Sequence, residues 1–596
     1  MKSDNYKITQ YSVSSILNYV ENSQIAIPEI QRPFVWKGEE VRALIDSLYE
    51  GYPIGYLIVW QNSQVRVRGF GKGGTKKILI DGQQRVTALM AALLGKEVLD
   101  EQYQSCRIRI AFNPLAQTGD ERFAVCDEKH EQDSKWIPDI SIFFRRDFSF
   151  RQFEKEYKEA NPGEDFTPLE ESVDTLKEII KHQVGVIELS FLLDIDVVSE
   201  IFIRINLQGK PLNQEDFVMS KISVNEEYGG DYIRNCIDYF CHLLREPSFY
   251  QVLQQNETDF FNSEYGQAVA WCQNGEKNLY IPSYADVLKV VLISYFGKVR
   301  IGDLVHLLSG RTGEKKGLTK KEISKKLSEE SFEKLGAGVK AFVCEKNFKG
   351  FQKALKKAGY CCSRLLYSQS VLNYCYAMYL LMDRQGIGEE ERESLLARWM
   401  TMVMLTGHYQ SGGEGTVLKD YANATEEGFA SYLAQIEELK LTEEFYDSIL
   451  PDKFASTTAR TAPFLVYVAT QCARGVHSLY SDVTIEELYK NKTESYQILP
   501  KTYLAKCGYK TREIYGQVAN LTYISKETKD IVKRKAPADY REKLEEVIGR
   551  EAITASLQEN GLTEKIFTAG EKDVTKILAD RRKQMALEIK EFYKTL

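Results

Sequence analysis

The chain has 596 residues, 43% of them apolar, 11% aromatic and 27% charged. That is too long for one hydrophobic core, so about three to five folding units are expected at roughly 100–200 residues each, and the near-average composition excludes global disorder, collagen-like repeats and a disulfide-dense miniature. Lys plus Arg number 78 against 85 Asp plus Glu, a net charge of −7, so contact with nucleic acid has to come from a local patch. Eleven scattered cysteines without a C-x-x-C, and a start (MKSDNYKITQ) without a basic-then-apolar segment, point to a reduced cytoplasmic setting. No apolar run reaches the roughly 18 residues of a membrane span, so no membrane contact is expected. The six histidines show no zinc-ligand spacing.

Residues 27–36, IPEIQRPFVW, place Gln31 and Arg32 between two prolines that force extended backbone. A buried Gln-Arg pair needs partners, either a salt bridge or a ligand. Over residues 38–50, Val41, Leu44, Ile45, Leu48 and Tyr49 recur at helical spacing and predict an amphipathic helix. YLIVW (56–60) and KKILI (76–80) read as two strands of a hairpin. The GFGKGGT between them lacks the phosphate-loop pattern and reads as a glycine-rich turn.

Asp81-Gly82-Gln83-Gln84-Arg85 follows the second strand and opens the helix VTALMAALL, closed by Gly95. A strand-to-helix junction directs free backbone N–H groups outward, a ready anion site. The competing account is local: Asp81 as N-cap with Gln84 three residues on is a capping box. Arg85 weighs against that account, because a cation in a first turn opposes the helix dipole and calls for a nearby anion such as phosphate. Residues 201–222, IFIRINLQGKPLNQEDFVMSKI, suggest a helix ending near Asn206, a stop at Gly209 and a new helix after Asn213. Arg204 and Asn206 either share a site or serve capping.

From about residue 226 the pattern is mostly helical, notably over 365–383 and 391–406. Residues 311–364 hold fifteen Lys or Arg against six Glu, which is either a solvated basic face or a surface that follows DNA phosphates. On the second account Lys315, Lys316, Lys325 and Lys326 are the DNA contacts. The last hundred residues return to short segments and end in the charged helix ADRRKQMALEIKEFYKTL.

Together IPEIQRPFVWKGEEVRALIDSLYEGYPIG, ILIDGQQRVTALMAALLG and IFIRINLQGKPLNQEDF resemble, in order and spacing, the N-terminal family of GmrSD-type modification-dependent restriction proteins, related in fold to ParB and sulfiredoxin. The resemblance covers about residues 8–225 and continues weakly to LTGHYQSGGEGTVLKDY (405–421). It implies phage defence, with nucleotide hydrolysis gating action on DNA. Asp81, Gln83, Gln84 and Arg85 would be the catalytic group, and Gln31, Arg32, Gly82, Arg204 and Asn206 would hold the nucleotide. The cofactor implied is an NTP, GTP or ATP, with Mg²⁺ as its counter-ion. In such proteins the C-terminal domain is often an HNH nuclease. Here YQILP (496–500) and GQVANLTYISKETKDIVKRKAPADY resemble its frame, but Tyr496 and Gln497 stand where histidines would, and Lys529 stands in place of the second Asn. Tyr and Gln supply neither base nor metal ligand at neutral pH.

The expected architecture is therefore α+β: a ParB-like domain over 1–225, a helical domain over 226–470 and a degenerate HNH-like domain over 471–596. The leading functional expectation is a nucleotide-hydrolysing sensor or regulatory component of a restriction system. Its expected partners are double-stranded DNA, a partner nuclease or defence subunit, and a second copy of the chain. The alternatives are a self-sufficient endonuclease with a metal at Asp81 and a carboxylate such as Glu29, and a non-catalytic DNA-binding module.

Overall fold

The computed structural model describes residues 5–22, 24–26, 36–62, 76–99, 105–117, 121–193, 197–198, 201, 214–225, 227–310, 320–570 and 572–596. With 63% of the residues helical and only small mixed sheets, the chain is an α+β protein. It divides into two compact units, Met1–Asp238 and Tyr239–Leu596, so the expected helical and C-terminal regions lie in one unit.

The first unit is built on a five-stranded sheet. Its elements are β1 (Tyr6–Ser12), α1 (Val13–Glu21), β2 (Ile25–Ala26), α2 (Gly38–Tyr49), β3 (Tyr56–Asn62), β4 (Lys76–Asp81), α3 (Gln83–Leu94) and β5 (Gln183–Leu189). The strand order is β1-β5-β3-β4-β2. β3 and β4 form the expected antiparallel hairpin, from Asn62↔Lys76 to Ile58↔Asp81 with an irregularity at Ile58/Val59. β5, far along the chain, runs between β1 and β3, antiparallel to β1 and parallel to β3.

α2 buries Val41, Leu44, Ile45 and Leu48, the stripe read from the sequence, and each such side chain contributes about 1.5–3 kcal/mol when fully removed from water. Leu57 and Val59 of β3, Leu79 of β4, and Val184 and Val186 of β5 meet these helices in one core. Alternation then puts Lys77 and Asp81 on the same sheet face as Leu79, at opposite ends of β4.

In the second unit the helices α4 (Lys320–Val343), α5 (Glu345–Lys357), α6 (Gln369–Arg384), α7 (Glu389–Thr406) and α8 (Ala462–Ala473) precede a small hairpin, β6 (Tyr496–Gln497) with β7 (Leu521–Thr522). α9 (Lys526–Val532) follows the hairpin, and α10 (Val574–Tyr593) packs back on α8. The expected long helices are α6 and α7, and the charged end is α10. α6 contains the longest apolar run and is buried from Leu372 to Met382. Among the described residues no helix is long and apolar enough to cross a membrane. All eleven cysteines are free; Cys361 Sγ lies 3.8 Å from Cys472 Sγ. In the 405–421 segment His408 Nε2 lies 2.8 Å from Asp420 Oδ2, and the Tyr432 hydroxyl donates to Asp420 Oδ1 at 2.7 Å. These buried groups satisfy one another, so the segment's chemistry is spent on holding helices together.

Candidate functional site

The Asp81–Arg85 segment is the junction between β4 and α3. The residue that caps α3 is Gly82, at φ +91°, with no side chain capping the helix. The expected capping box on Asp81 and Gln84 is therefore not formed. Asp81 remains in the strand, because the left-handed turn at Gly82 carries the chain into the helix before the Asp81 carboxylate can fold over its first turn. The backbone N–H groups that open α3 thus lack a cap from the N-cap side chain, the condition in which a helix start can take an anion.

Arg85 closes a ring around this turn. Its Nη2 lies 3.0 Å from Asp81 Oδ2, and its Nη1 donates to the Ile54 carbonyl at 2.8 Å. The anion demanded by a cation in a first turn is thus supplied in part by Asp81. A guanidinium has five N–H donors, so these two bonds leave three without a partner among the described residues. Both members are half-buried, with side-chain exposures of 18% and 24%. The Gln83 amide donates to the Leu79 carbonyl at 2.9 Å, tying the first turn of α3 back to β4. Gln31, Arg32, Arg204, Asn206 and Glu29 lie outside the described residues.

Two glycines make room for the guanidinium. A Cβ on Gly55, at φ +86°, would stand 2.6 Å from Arg85 Nη1, and a Cβ on Gly82 would stand 2.1 Å from Leu57 Cδ2. Gly82→Ala is accordingly expected to cost about 2–4 kcal/mol, the sum of the left-handed backbone penalty and overpacking against a buried leucine. Gly51→Ala, also at positive φ (+74°) but with nothing within 4 Å, should cost only about 1 kcal/mol. Urea midpoints of the two variants check this difference.

Residues 13–223 match the family model of the GmrSD restriction endonuclease N-terminal domain. Over these residues the first unit is similar to the N-terminal domain of GmrSD restriction endonucleases. No curated protein matches the chain. The match encloses β4, the Asp81–Arg85 junction and β5, and it ends before the helices of the second unit.

The first unit also holds a charged cluster that the sequence reading missed. Glu188 of β5 is 2% exposed. Lys77 Nζ lies 2.6 Å from its Oε1 and 2.6 Å from the Tyr11 hydroxyl, and Lys7 Nζ lies 2.8 Å from its Oε2. Tyr11 donates to the same carboxylate. Burial alone would raise the Glu188 pKa, but the bonds from Lys7, Lys77 and Tyr11 outweigh it and hold the carboxyl down at about 2. The signal was present in QVGVIEL, where Glu188 falls on the inward register of Val184 and Val186. Lys77 is four residues from Asp81, about 13 Å along the strand, so this cluster is separate from the junction and braces the other end of the sheet.

Because the folded value lies below the ordinary 4.5, Glu188 stabilises the fold above about pH 4.5, and that stability is lost as pH falls toward 2. The full shift would correspond to about 3 kcal/mol. Lys7 is exposed, and screening brings the expected figure nearer 2 kcal/mol. Urea unfolding of wild type and Glu188→Gln should therefore differ most near pH 6, and the difference should shrink steadily as pH falls toward 2. A constant difference across that range would contradict the linkage.

Where the structure describes the lysine-rich region, part of its charge is internally matched. Lys349 lies 2.7 Å from Glu276 and 2.9 Å from Glu345, Lys353 lies 3.1 Å from Glu389, and Lys340 lies 2.9 Å from Glu264. Lys325 and Lys326 are exposed on α4, while Lys315 and Lys316 lie outside the described residues.

Proposed function

We propose that the protein is a nucleotide-hydrolysing sensor or regulatory component of an anti-phage, modification-dependent restriction system that acts on DNA, with the Asp81–Arg85 junction as its phosphate site. The observation that carries this reading is Arg85: a half-buried guanidinium at the uncapped start of α3, with three N–H groups unspent. The GmrSD-type domain around it supports the restriction role and DNA as the molecule acted on.

The geometry suggests how the site works. A partly exposed ion pair such as Asp81–Arg85 contributes about 0–1 kcal/mol. A terminal phosphate, carrying more charge and gripping a guanidinium at two points, displaces Asp81 at little cost. The released carboxylate is then available to orient a water for attack, while Arg85 and the α3 N–H groups take up charge on the phosphoryl oxygens. Mg²⁺ would be carried by the nucleotide's own phosphates. Gln84 borders the same turn, and Gln31, Arg32, Arg204 and Asn206 are assigned to nucleotide binding by the resemblance. Loss of the γ-phosphate restores the Asp81–Arg85 pair and resets the junction, an order–release device of the kind that couples hydrolysis to a partner.

An endonuclease with a divalent metal on Asp81 is the second reading. The guanidinium 3.0 Å from Asp81 Oδ2 opposes a cation there, which favours the nucleotide. Phosphate release from each of the four NTPs, with and without modified duplex DNA, tests the proposal. Release from at least one nucleotide is expected; no binding and no turnover of any of them would refute it.

A further inference from the structure

We infer that the hairpin unit β6–β7–α9 and the segment around it form the surface on which this protein holds the phosphate backbone of duplex DNA. The inference deepens the reading of a DNA-acting protein and rests on it for the identity of the polymer. Residues 501–535 carry nine Lys or Arg against three acids, Glu513, Glu527 and Asp530, within a chain of net charge −7. Lys501, Lys506, Lys510 and Arg512 lie between β6 and β7; Lys526, Lys529, Lys533, Arg534 and Lys535 lie on and just after α9. All nine are exposed.

What marks them as a group is that, among the described residues, none of them is paired with an acid. On α4 and α5, by contrast, Lys340, Lys349 and Lys353 each have a glutamate from elsewhere in the chain. Around the hairpin no basic side chain lies within ion-pair distance of an acid among the described residues, and Lys501 rests instead over the Tyr515 ring, 4.9 Å from its centroid. Lys526 and Lys529 stand one turn apart on α9, where like charges repel by a few tenths of a kcal/mol, and Lys533 follows at the C-cap of the helix. Lys533 also sits at φ +49°, a left-handed position that glycine would fill with less strain. Such a row is unfavourable alone and becomes favourable against a polyanion. Its span, about 10 Å, corresponds to about six duplex charges.

The hairpin is pinned for this role by Asn520, whose amide donates to the Leu499 and Tyr515 carbonyls at 2.9 and 3.0 Å and accepts from the Leu499 N–H at 2.9 Å.

The test uses the full chain, with Lys526→Glu/Lys529→Glu/Lys533→Glu in one variant and Lys325→Glu/Lys326→Glu in another. Binding to a labelled 30-base-pair duplex is followed by anisotropy across a salt series, and circular dichroism checks the fold. Each phosphate contact contributes about −0.9 to the slope of log K against log salt, so the α9 variant should bind at least tenfold more weakly at 0.1 M salt and lose about 2–3 from the slope. The α4 variant should change both by less. An unchanged slope in the α9 variant, a larger loss in the α4 variant, or preferential competition by single-stranded RNA over duplex DNA would overturn the inference. Basal NTP hydrolysis measured without DNA in the same preparations reports on the nucleotide site separately, so failure of one reading is not mistaken for failure of the other.

Discussion

Arg85→Ala is expected to lower NTP hydrolysis by at least 100-fold while the protein remains folded. The guanidinium is the only side chain in the described junction that can place positive charge on a phosphoryl group, and removing one such preorganised donor typically costs about 10²–10³ in rate. The structural cost is smaller and separable. The substitution breaks the bonds to Asp81 and to the Ile54 carbonyl, one a partly exposed ion pair and the other a charge-assisted bond to backbone, together about 1–3 kcal/mol.

Arg85→Lys sharpens the test. An ammonium keeps the charge but cannot bridge Ile54, Asp81 and a phosphate at once, so nucleotide binding should persist more than turnover. Asp81→Asn keeps an acceptor for Arg85 and removes the charge. Turnover at the wild-type rate would make Asp81 a positioning residue, whereas a 10²-fold loss with binding retained would place it on the attacking water. Hydrolysis by Arg85→Ala at the wild-type rate would remove the junction from the phosphate chemistry altogether.

The elements legible in the sequence are those specified by neighbours in the chain. α2 followed from one apolar stripe, the β3–β4 hairpin from two β-branched runs, and the end of α3 from Gly95, which sits at φ +69°. The junction itself was legible as a place but not as a geometry. Asp-Gly-Gln-Gln offers both a capping box and a left-handed turn, and the outcome depends on Leu57 and Arg85, which close around Gly82 only in the folded sheet. Likewise β5 pairs with β3 across more than a hundred residues, and no local pattern names that partner. Charge counting leaves the lysine-rich stretch open to two accounts. The excess over 311–364 fits a solvated face or a surface that follows DNA phosphates, and in the fold Glu264, Glu276 and Glu389, distant in the chain, pair with Lys340, Lys349 and Lys353. The basic residues over 501–535 are fewer, and only the absence of such partners in the fold brings them forward.

The second unit is expected not to cut DNA. Hydrolysis of a phosphodiester needs a deprotonated, aligned water and a metal to take charge from the leaving oxygen. Between β6 and the end of α9 there is no histidine to serve as a base, and Gln497 and Asn520 are engaged in holding the backbone. Gln497 donates to the Tyr515 carbonyl at 3.2 Å and accepts from the Lys501 N–H at 3.2 Å. Burial pushes the Tyr496 hydroxyl up to about 12, so it stays protonated at neutral pH and serves as no base; loss of a general base alone typically costs 10²-fold or more. Asn520 is consumed by Leu499 and Tyr515, and Lys529 adds an ammonium to the exposed side of α9. The carboxylates closest in sequence to Lys529, Glu527 and Asp530, are exposed on α9 and are the residues through which a displaced active site would have to work. Supercoiled plasmid incubated with the full chain and Mg²⁺ or Mn²⁺ should therefore remain supercoiled over hours. Asn520→Ala is a poor probe, since it unpins the hairpin whether or not chemistry occurs. Glu527→Ala and Asp530→Ala leave the packing untouched. Nicking by wild type that disappears in either of them would restore catalysis to the hairpin and make the basic surface around it the approach to an active nuclease.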